Sequence, residues 1–160
     1  MPKNARILVI DDDESIRNTL AVALEQEGYC VDKAENGKEA IAKSYANFYN
    51  LAIVDWRLPD IEGTKLLGEL KETTPKMAKI MLTGYPSIKN AVEAVNKRAD
   101  AFLLKPVDLE VLLAKISELL KEQEQAQAFS EDLMVNFIET RVKEIATQET
   151  TRNHPKRTES

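Results

Sequence analysis

Over roughly its first 120 residues the chain alternates short apolar runs with helix-length amphipathic segments. That rhythm predicts parallel strands joined by crossover helices, with helices covering both faces of the sheet. Four of the runs are Ile7-Leu8-Val9-Ile10, Leu51-Ala52-Ile53-Val54, Ile80-Met81-Leu82 and Ala101-Phe102-Leu103-Leu104, and Cys30 to Ala34 reads as a shorter fifth strand. Between them, residues 14 to 27 carry Ile16, Leu20, Ala23 and Leu24 at helical spacing and stop at Gly28, a natural residue after a helix end. Asn36-Gly37 turns the chain into a helix over about 38 to 47, and Gly63 opens another with Leu66, Leu67 and Leu70 inward. Pro75 breaks the chain before the fourth strand. Pro86 suits the first turn of a helix whose stripe is Ile88, Ala91, Val92 and Val95. Asp108 is placed to cap a long helix bearing Leu109, Leu112, Leu113, Ile116, Leu119 and Leu120. The expectation is an α/β domain with a five-stranded parallel sheet, five helices and a C-terminal helical extension.

Bulk properties narrow the class. A chain of 160 residues holds one domain with an appendage rather than two full domains. With 43% hydrophobic and 31% charged residues, neither wholesale disorder nor membrane insertion is expected. The net charge of -5 argues against a nucleic-acid surface on the main body. Cys30 is the only cysteine, so no internal disulfide forms, and Tyr29-Cys30-Val31 reads as the setting of a small buried hydrophobe. Only four apolar residues precede the first aspartates, far short of a signal segment, and no run of about 18 apolar residues occurs. A cytoplasmic location is expected.

Four of the five strand runs end on a chemically useful group: Asp11-Asp12-Asp13, Asp55, Thr83 and Lys105. Taken singly they have ordinary uses, as helix caps, turn residues, a β-branched strand end and a solvated charge. Placed together on the carboxyl rim of one sheet, where α/β folds bind ligands, they form a nest of acids beside a hydroxyl and an ammonium. Packed carboxylates repel unless a cation sits among them, and Mg²⁺ takes one or two carboxylates, a carbonyl and waters. Asp12 and Asp55 suit it, with Asp11 orienting a bound water. With the metal and Lys105 at opposite ends of an incoming phosphoryl group, Asp55 can attack phosphorus to give an aspartyl phosphate.

These residues resemble the receiver domain of two-component response regulators. The likeness rests on Ile10-Asp11-Asp12-Asp13, on Asp55-Trp56-Arg57-Leu58-Pro59 with Gly63 following, on Thr83-Gly84, and on Phe102 before Lys105-Pro106. It covers about residues 5 to 122 and implies a flavodoxin-like strand order of 2-1-3-4-5. The resemblance further implies that Asp55 is the phosphoacceptor and that Asp11, Asp12, Asp55 and the backbone carbonyl of Arg57 hold Mg²⁺. Lys105 and Thr83 would contact phosphoryl oxygens, Thr83 and Phe102 would form the switch, and the Lys105-Pro106 bond would be cis. By its residue type alone Phe102 is a core aromatic. Asp13 is expected to cap rather than ligate. Arg57 and Tyr85 stand where the family tunes hydrolysis of the acyl phosphate, and their bulk predicts slow self-dephosphorylation. New contacts from Thr83 and Lys105, if neither exists beforehand, would supply on the order of 3 to 6 kcal/mol.

The implied partners are a sensor histidine kinase or phosphotransfer protein and a downstream protein target, with no catalysis beyond phosphotransfer to Asp55 and its reversal. Two rival readings are a Mg²⁺-dependent phosphohydrolase of haloacid dehalogenase type, using Asp11 and Asp13, and a receiver-like module that is never phosphorylated. The hydrolase fits worse, since Asp55 would have no task and no acidic pair follows Lys105.

Beyond the resemblance, residues 123 to 130 read as a polar linker or as continued helix, and a fresh start at Ser130-Glu131-Asp132 suits an amphipathic helix over 131 to 147. Its stripe is Leu133, Phe137, Met134, Ile138, Val142 and Ile145. That helix either folds back onto the domain or serves self-association or partner docking, so a homodimer through it or through another helical surface is one expectation. There is no room for a helix-turn-helix module, so DNA binding is not expected. Residues 148 to 160 read as a disordered tail.

Overall fold

In the computed structural model, residues 4–84, 87, 89, 92, 96 and 99–152 are described. Five strands, β1 (Arg6–Ile10), β2 (Cys30–Ala34), β3 (Leu51–Asp55), β4 (Ala78–Thr83) and β5 (Ala101–Leu104), form one sheet in the order β2-β1-β3-β4-β5. All four pairings are parallel. The helices α1 (Glu14–Gln26), α2 (Gly37–Ala46) and α3 (Gly63–Glu69) lie between strands, and α4 (Leu109–Arg152) follows β5. Four helices are thus described, against five plus an extension in the expectation. The helix expected from Pro86 lies outside the described residues, and the bounds of α4 carry helix through 123–130 and on to 152.

The inner strands β1, β3 and β4 are mostly apolar because both sheet faces are covered there. Along β1, Ile7 and Val9 join a core with Leu20 and Leu24 of α1 and Leu112, Ile116 and Leu120 of α4. Leu8 and Ile10 point the other way, into a core with Ala40 of α2 and Leu66 and Leu67 of α3. Every residue of β3 and β4 is buried, whereas β2 and β5, at the edges, are partly exposed. Cys30 corrects the sequence expectation: it opens edge strand β2 and is exposed, because strand alternation turns its neighbours Tyr29 and Val31 toward the core and Cys30 away from it.

Local signals set the helix ends. The Asp13 carboxylate accepts from the Ile16 amide at 3.1 Å, and Asn36 accepts from the Glu39 amide at 2.8 Å, each satisfying a donor that the first turn leaves open. Gly28 follows α1 at φ +94°, a conformation that side chains resist. Asp108 accepts from the amides of Glu110 and Val111 at 3.0 and 3.3 Å, the capping role its position predicts. Near the opposite end of the sheet, the Gln123 amide donates to the carbonyls of Asn50 (2.9 Å) and Lys76 (2.7 Å) and accepts from the Asn50 side chain.

The chain divides into two compact units, residues 1–123 and 124–160. The first unit holds the sheet and both cores. In the second, every residue from 124 to 150 is exposed. Among the described residues, no helix is long and apolar enough to cross a membrane.

Candidate functional site

The sheet order reverses between β1 and β3: from β1 the chain goes first to one edge, then returns to the other side of β1 and continues to β5. A crevice opens at the carboxyl ends of the strands at such a reversal. Asp11 follows β1 directly and Asp55 ends β3, so the two acids flank it. Asp11 is 1% and Asp55 7% exposed. Asp12, one residue on, is exposed, and oxygens from Asp11, Asp12 and Asp55 all lie within 4.8 Å of one another.

Lys105, just beyond β5, reaches between the two buried acids, with Nζ 3.0 Å from Asp11 Oδ2 and 3.1 Å from Asp55 Oδ1. One cation therefore serves two carboxylates, and the electrostatics show the shortfall. Burial and the neighbouring Asp11 charge push the Asp55 carboxyl up to about 6, against the pull of Lys105 and of the Arg57 backbone N–H. For Lys105, burial disfavours the charge, but hydrogen bonds and attraction from Asp11 and Asp55 outweigh it and raise its pKa. Three hard oxygen donors around one lysine suit a small divalent cation, so the donor set fits Mg²⁺.

The surrounding residues hold this geometry in place. Asp11 Oδ1 accepts from the Asp13 amide at 2.9 Å, and its backbone carbonyl accepts from Arg17 Nη1 at 2.8 Å. The Lys105 amide donates to the Thr83 carbonyl at 2.7 Å, tying β5 to the residue that ends β4, and Thr83 is fully buried. After Asp55, the Trp56 amide donates to the Leu82 carbonyl at 2.8 Å, and the Trp56 carbonyl accepts from Gly63 at 2.8 Å. A Cβ on Gly63 would stand 2.3 Å from the Asp55 carbonyl oxygen and 3.0 Å from Trp56 Cα, so only glycine lets α3 begin this close to the strand end. Phe102 meets Trp56 edge-on, with ring centroids 6.2 Å apart. Farther along the same loop, Asp60 accepts from the amides of Gly37 and Lys38, both at 2.8 Å, and so fastens the loop to the start of α2.

Of the residues singled out from sequence, Asp11, Asp12, Asp55 and Lys105 converge, Thr83 ends the adjoining strand, and Phe102 lies one aromatic contact from the residue after Asp55. Arg57 is exposed, and its backbone amide serves Asp55. The Lys105-Pro106 bond is cis, and Asp13 caps α1. Tyr85 lies outside the described residues. Sequence reasoning missed Arg17 and Asp60. Arg17 carried a faint signal as a cation on the first turn after the acids, whereas Asp60 in its Pro-containing turn carried none.

Comparisons with known proteins agree with this architecture. Residues 7–117 match the family described as response regulator receiver domain. A receiver domain protein (CheY-like) from Methanospirillum hungatei JF-1 is 46% identical, with a TM-score of 0.73 over 77% of this chain and 98% of that one. A response regulator protein from Burkholderia pseudomallei, crystallised with a phosphorylated aspartic acid, calcium ion and citrate, is 36% identical. Its TM-score is 0.67 over 79% of this chain and 75% of that one. Transcriptional regulatory protein GlrR of Escherichia coli (strain K12) is 35% identical over 124 residues, 78% of this chain and 28% of its own length. The chain spans between 26% and 63% of the curated relatives it matches. Receiver domains are phosphoacceptor signalling modules that bind Mg²⁺ at an acidic pocket, and their membership removes the hydrolase reading. The chain belongs to the response regulator receiver domain family.

Proposed function

We propose that Asp55 accepts a phosphoryl group from the phosphohistidine of a sensor kinase or phosphotransfer protein, with Mg²⁺ held by Asp11, Asp12, Asp55 and the Arg57 carbonyl. The observation that carries this reading is the single lysine shared by two buried acids at 3.0 and 3.1 Å. It leaves the pocket short of positive charge until a cation arrives. The metal, when bound, supplies charge neutralisation for the acids and the incoming phosphoryl oxygens.

The rest falls to the chain's own groups. Asp55 is fixed by the Lys105 ion pair and the Arg57 amide, and its carboxylate oxygen forms the new bond to phosphorus as the donor's P–N bond breaks and the imidazole leaves. Position and charge do the catalysis, as is general for phosphoryl transfer. Lys105 then turns from Asp55 to a phosphoryl oxygen, and the Thr83 hydroxyl takes another. Beside Lys105, a groove of about 260 Å³ lined by Ile16, Leu20, Pro106, Val107 and Leu109 offers an apolar seat for the donor protein.

The geometry also limits the switch. Because Lys105 already pairs with Asp55, its contact with a phosphoryl oxygen replaces an ion pair rather than adding one. The net gain therefore falls short of the roughly 1.5 to 3 kcal/mol per bond that wholly new charge-assisted contacts would supply. Turning a 1:99 population to 99:1 takes about 5.5 kcal/mol. Phosphorylation therefore biases an equilibrium in which Thr83 moves toward the phosphoryl group as Phe102 turns inward, and a downstream protein that binds the phosphorylated form completes it. Slow self-dephosphorylation belongs to the same reading, through the bulk of Arg57, two residues after the phosphoacceptor. The test is intact-protein mass after incubation with Mg²⁺ and acetyl phosphate, with Trp56 emission followed in parallel. One added phosphoryl group, absent in Asp55→Asn, is expected. A module that is never phosphorylated would show no gain.

A further inference from the structure

The largest departure from ordinary burial lies outside the acidic pocket. Between residues 129 and 145, eight large apolar side chains, Phe129, Leu133, Met134, Val135, Phe137, Ile138, Val142 and Ile145, are each 52–66% exposed. At about 150–250 Å² per aromatic side chain, Phe129 and Phe137 alone leave on the order of 200 Å² uncovered. With the other six, the apolar area exceeds the roughly 300–600 Å² patch that a typical monomer leaves open.

Within this set, Val135, Ile138, Val142 and Ile145 follow one another at spacings of 3, 4 and 3. This is the 3.5-residue period of a seam that faces another helix, with β-branched residues at every layer. Glu131 and Glu149 occupy the next positions before and after, so the seam has four apolar layers and a charged residue at each end. Beside the later layers of the seam the charges are mixed, Glu139 and Glu144 with Arg141 and Lys143, whereas residues 122–138 before them carry acids alone, Glu131 and Asp132 nearest.

We propose that this seam joins copies of the chain to one another, side by side and in parallel. The direction follows from the residues flanking the seam. Antiparallel pairing that sets Val135 against Ile145 and Ile138 against Val142 brings Glu139 next to Glu139 of the second copy and Arg141 next to its own counterpart. In the parallel arrangement Glu139 flanks Met134 and Arg141 flanks Ala146, so neither charge meets its like. The inference is independent of phosphorylation at Asp55.

Sedimentation equilibrium of the full chain tests it. The expected result is a concentration-dependent mass above one chain at micromolar protein, weakened at least tenfold by Ile138→Glu with Val142→Glu. Acquisition of a phosphoryl group by the same variant would show that the sheet domain is intact. To fix direction without disturbing the helix, Ile138→Cys and Val142→Cys are made separately in a Cys30→Ser background, which removes the only other thiol. Each is expected to form a disulfide with itself on mild oxidation. A single-chain mass at all concentrations, association unchanged by the double substitution, or crosslinks formed only when the two cysteine variants are mixed would overturn the proposal.

Discussion

Two regions of this molecule use apolar residues in opposite ways. In β1, β3 and β4, leucines, isoleucines and valines alternate between the two sheet faces and are almost completely buried. In residues 124–150, side chains of the same kinds stand at helical spacing and more than half exposed. An identical chemical preference thus stabilises a fold in one region and leaves a surface in the other. Composition does not separate the two cases. What separates them is whether the chain itself supplies the covering layer.

The contrast is broken most forcefully by truncating one buried and one exposed isoleucine. Ile53→Ala, in the central strand with no exposed surface, is expected to cost about 2–5 kcal/mol in urea unfolding. Ile138→Ala, 52% exposed, is expected to change the same transition by less than about 0.5 kcal/mol at protein concentrations low enough to keep copies apart. Equal losses would mean that residue 138 contributes to the folded domain.

Next in size is Lys105→Met, which leaves Asp11 and Asp55 facing each other without a cation. A fully buried pair loses about 3–5 kcal/mol when one partner goes. Since Lys105 retains 20% side-chain exposure, roughly 2–3 is expected. Thermal melts should show that loss in chelator and a partial recovery in millimolar Mg²⁺, whereas a loss indifferent to the metal would count against a shared acidic pocket.

A smaller effect has the opposite sign. Asp55 has a folded pKa of about 6, above its unfolded value, so protonation favours the folded state. Its contribution to stability is greatest below about 3.9 and is lost as pH rises through about 6. Metal-free Asp55→Asn should therefore exceed the wild type by on the order of 1–3 kcal/mol at pH 7, with the gap narrowing toward pH 4. An unchanging gap across that range would show that Asp55 is not strained by burial and Asp11. The smallest expected effect is that of Gln123→Ala, about 1 kcal/mol, from the bonds to Asn50 and Lys76 at the end of the first unit. Urea unfolding measures it, and no change would mean that water replaces those bonds without loss.

Much of the sheet was legible because strands buried on both sides have to be continuous apolar runs, and every run but that of β2 ended on a group at the pocket or beside it. Asp13 and Asp108 were legible as caps because capping depends on residues one turn away, whereas Asn36 read only as part of a turn. Edge position was not: Tyr29-Cys30-Val31 looks like a core stretch until the strand order shows that nothing flanks β2 on its outer side. Nor was the sharing of Lys105, which depends on two acids 44 residues apart in sequence meeting across a sheet reversal. The apolar stripe after residue 128 was visible as a helix face. Its occupant was not, since periodicity reports that a face exists and says nothing of what covers it.

The central claim, that Asp55 carries the phosphoryl group in a pocket short of positive charge, is tested most directly by tandem mass spectrometry of protein treated with acetyl phosphate, with and without Mg²⁺. The account predicts one Mg²⁺-dependent phosphoryl group located on the Asp55 side chain and lost in Asp55→Asn. A phosphoryl group on Asp11 or Asp12, or one that persists in Asp55→Asn, would contradict it.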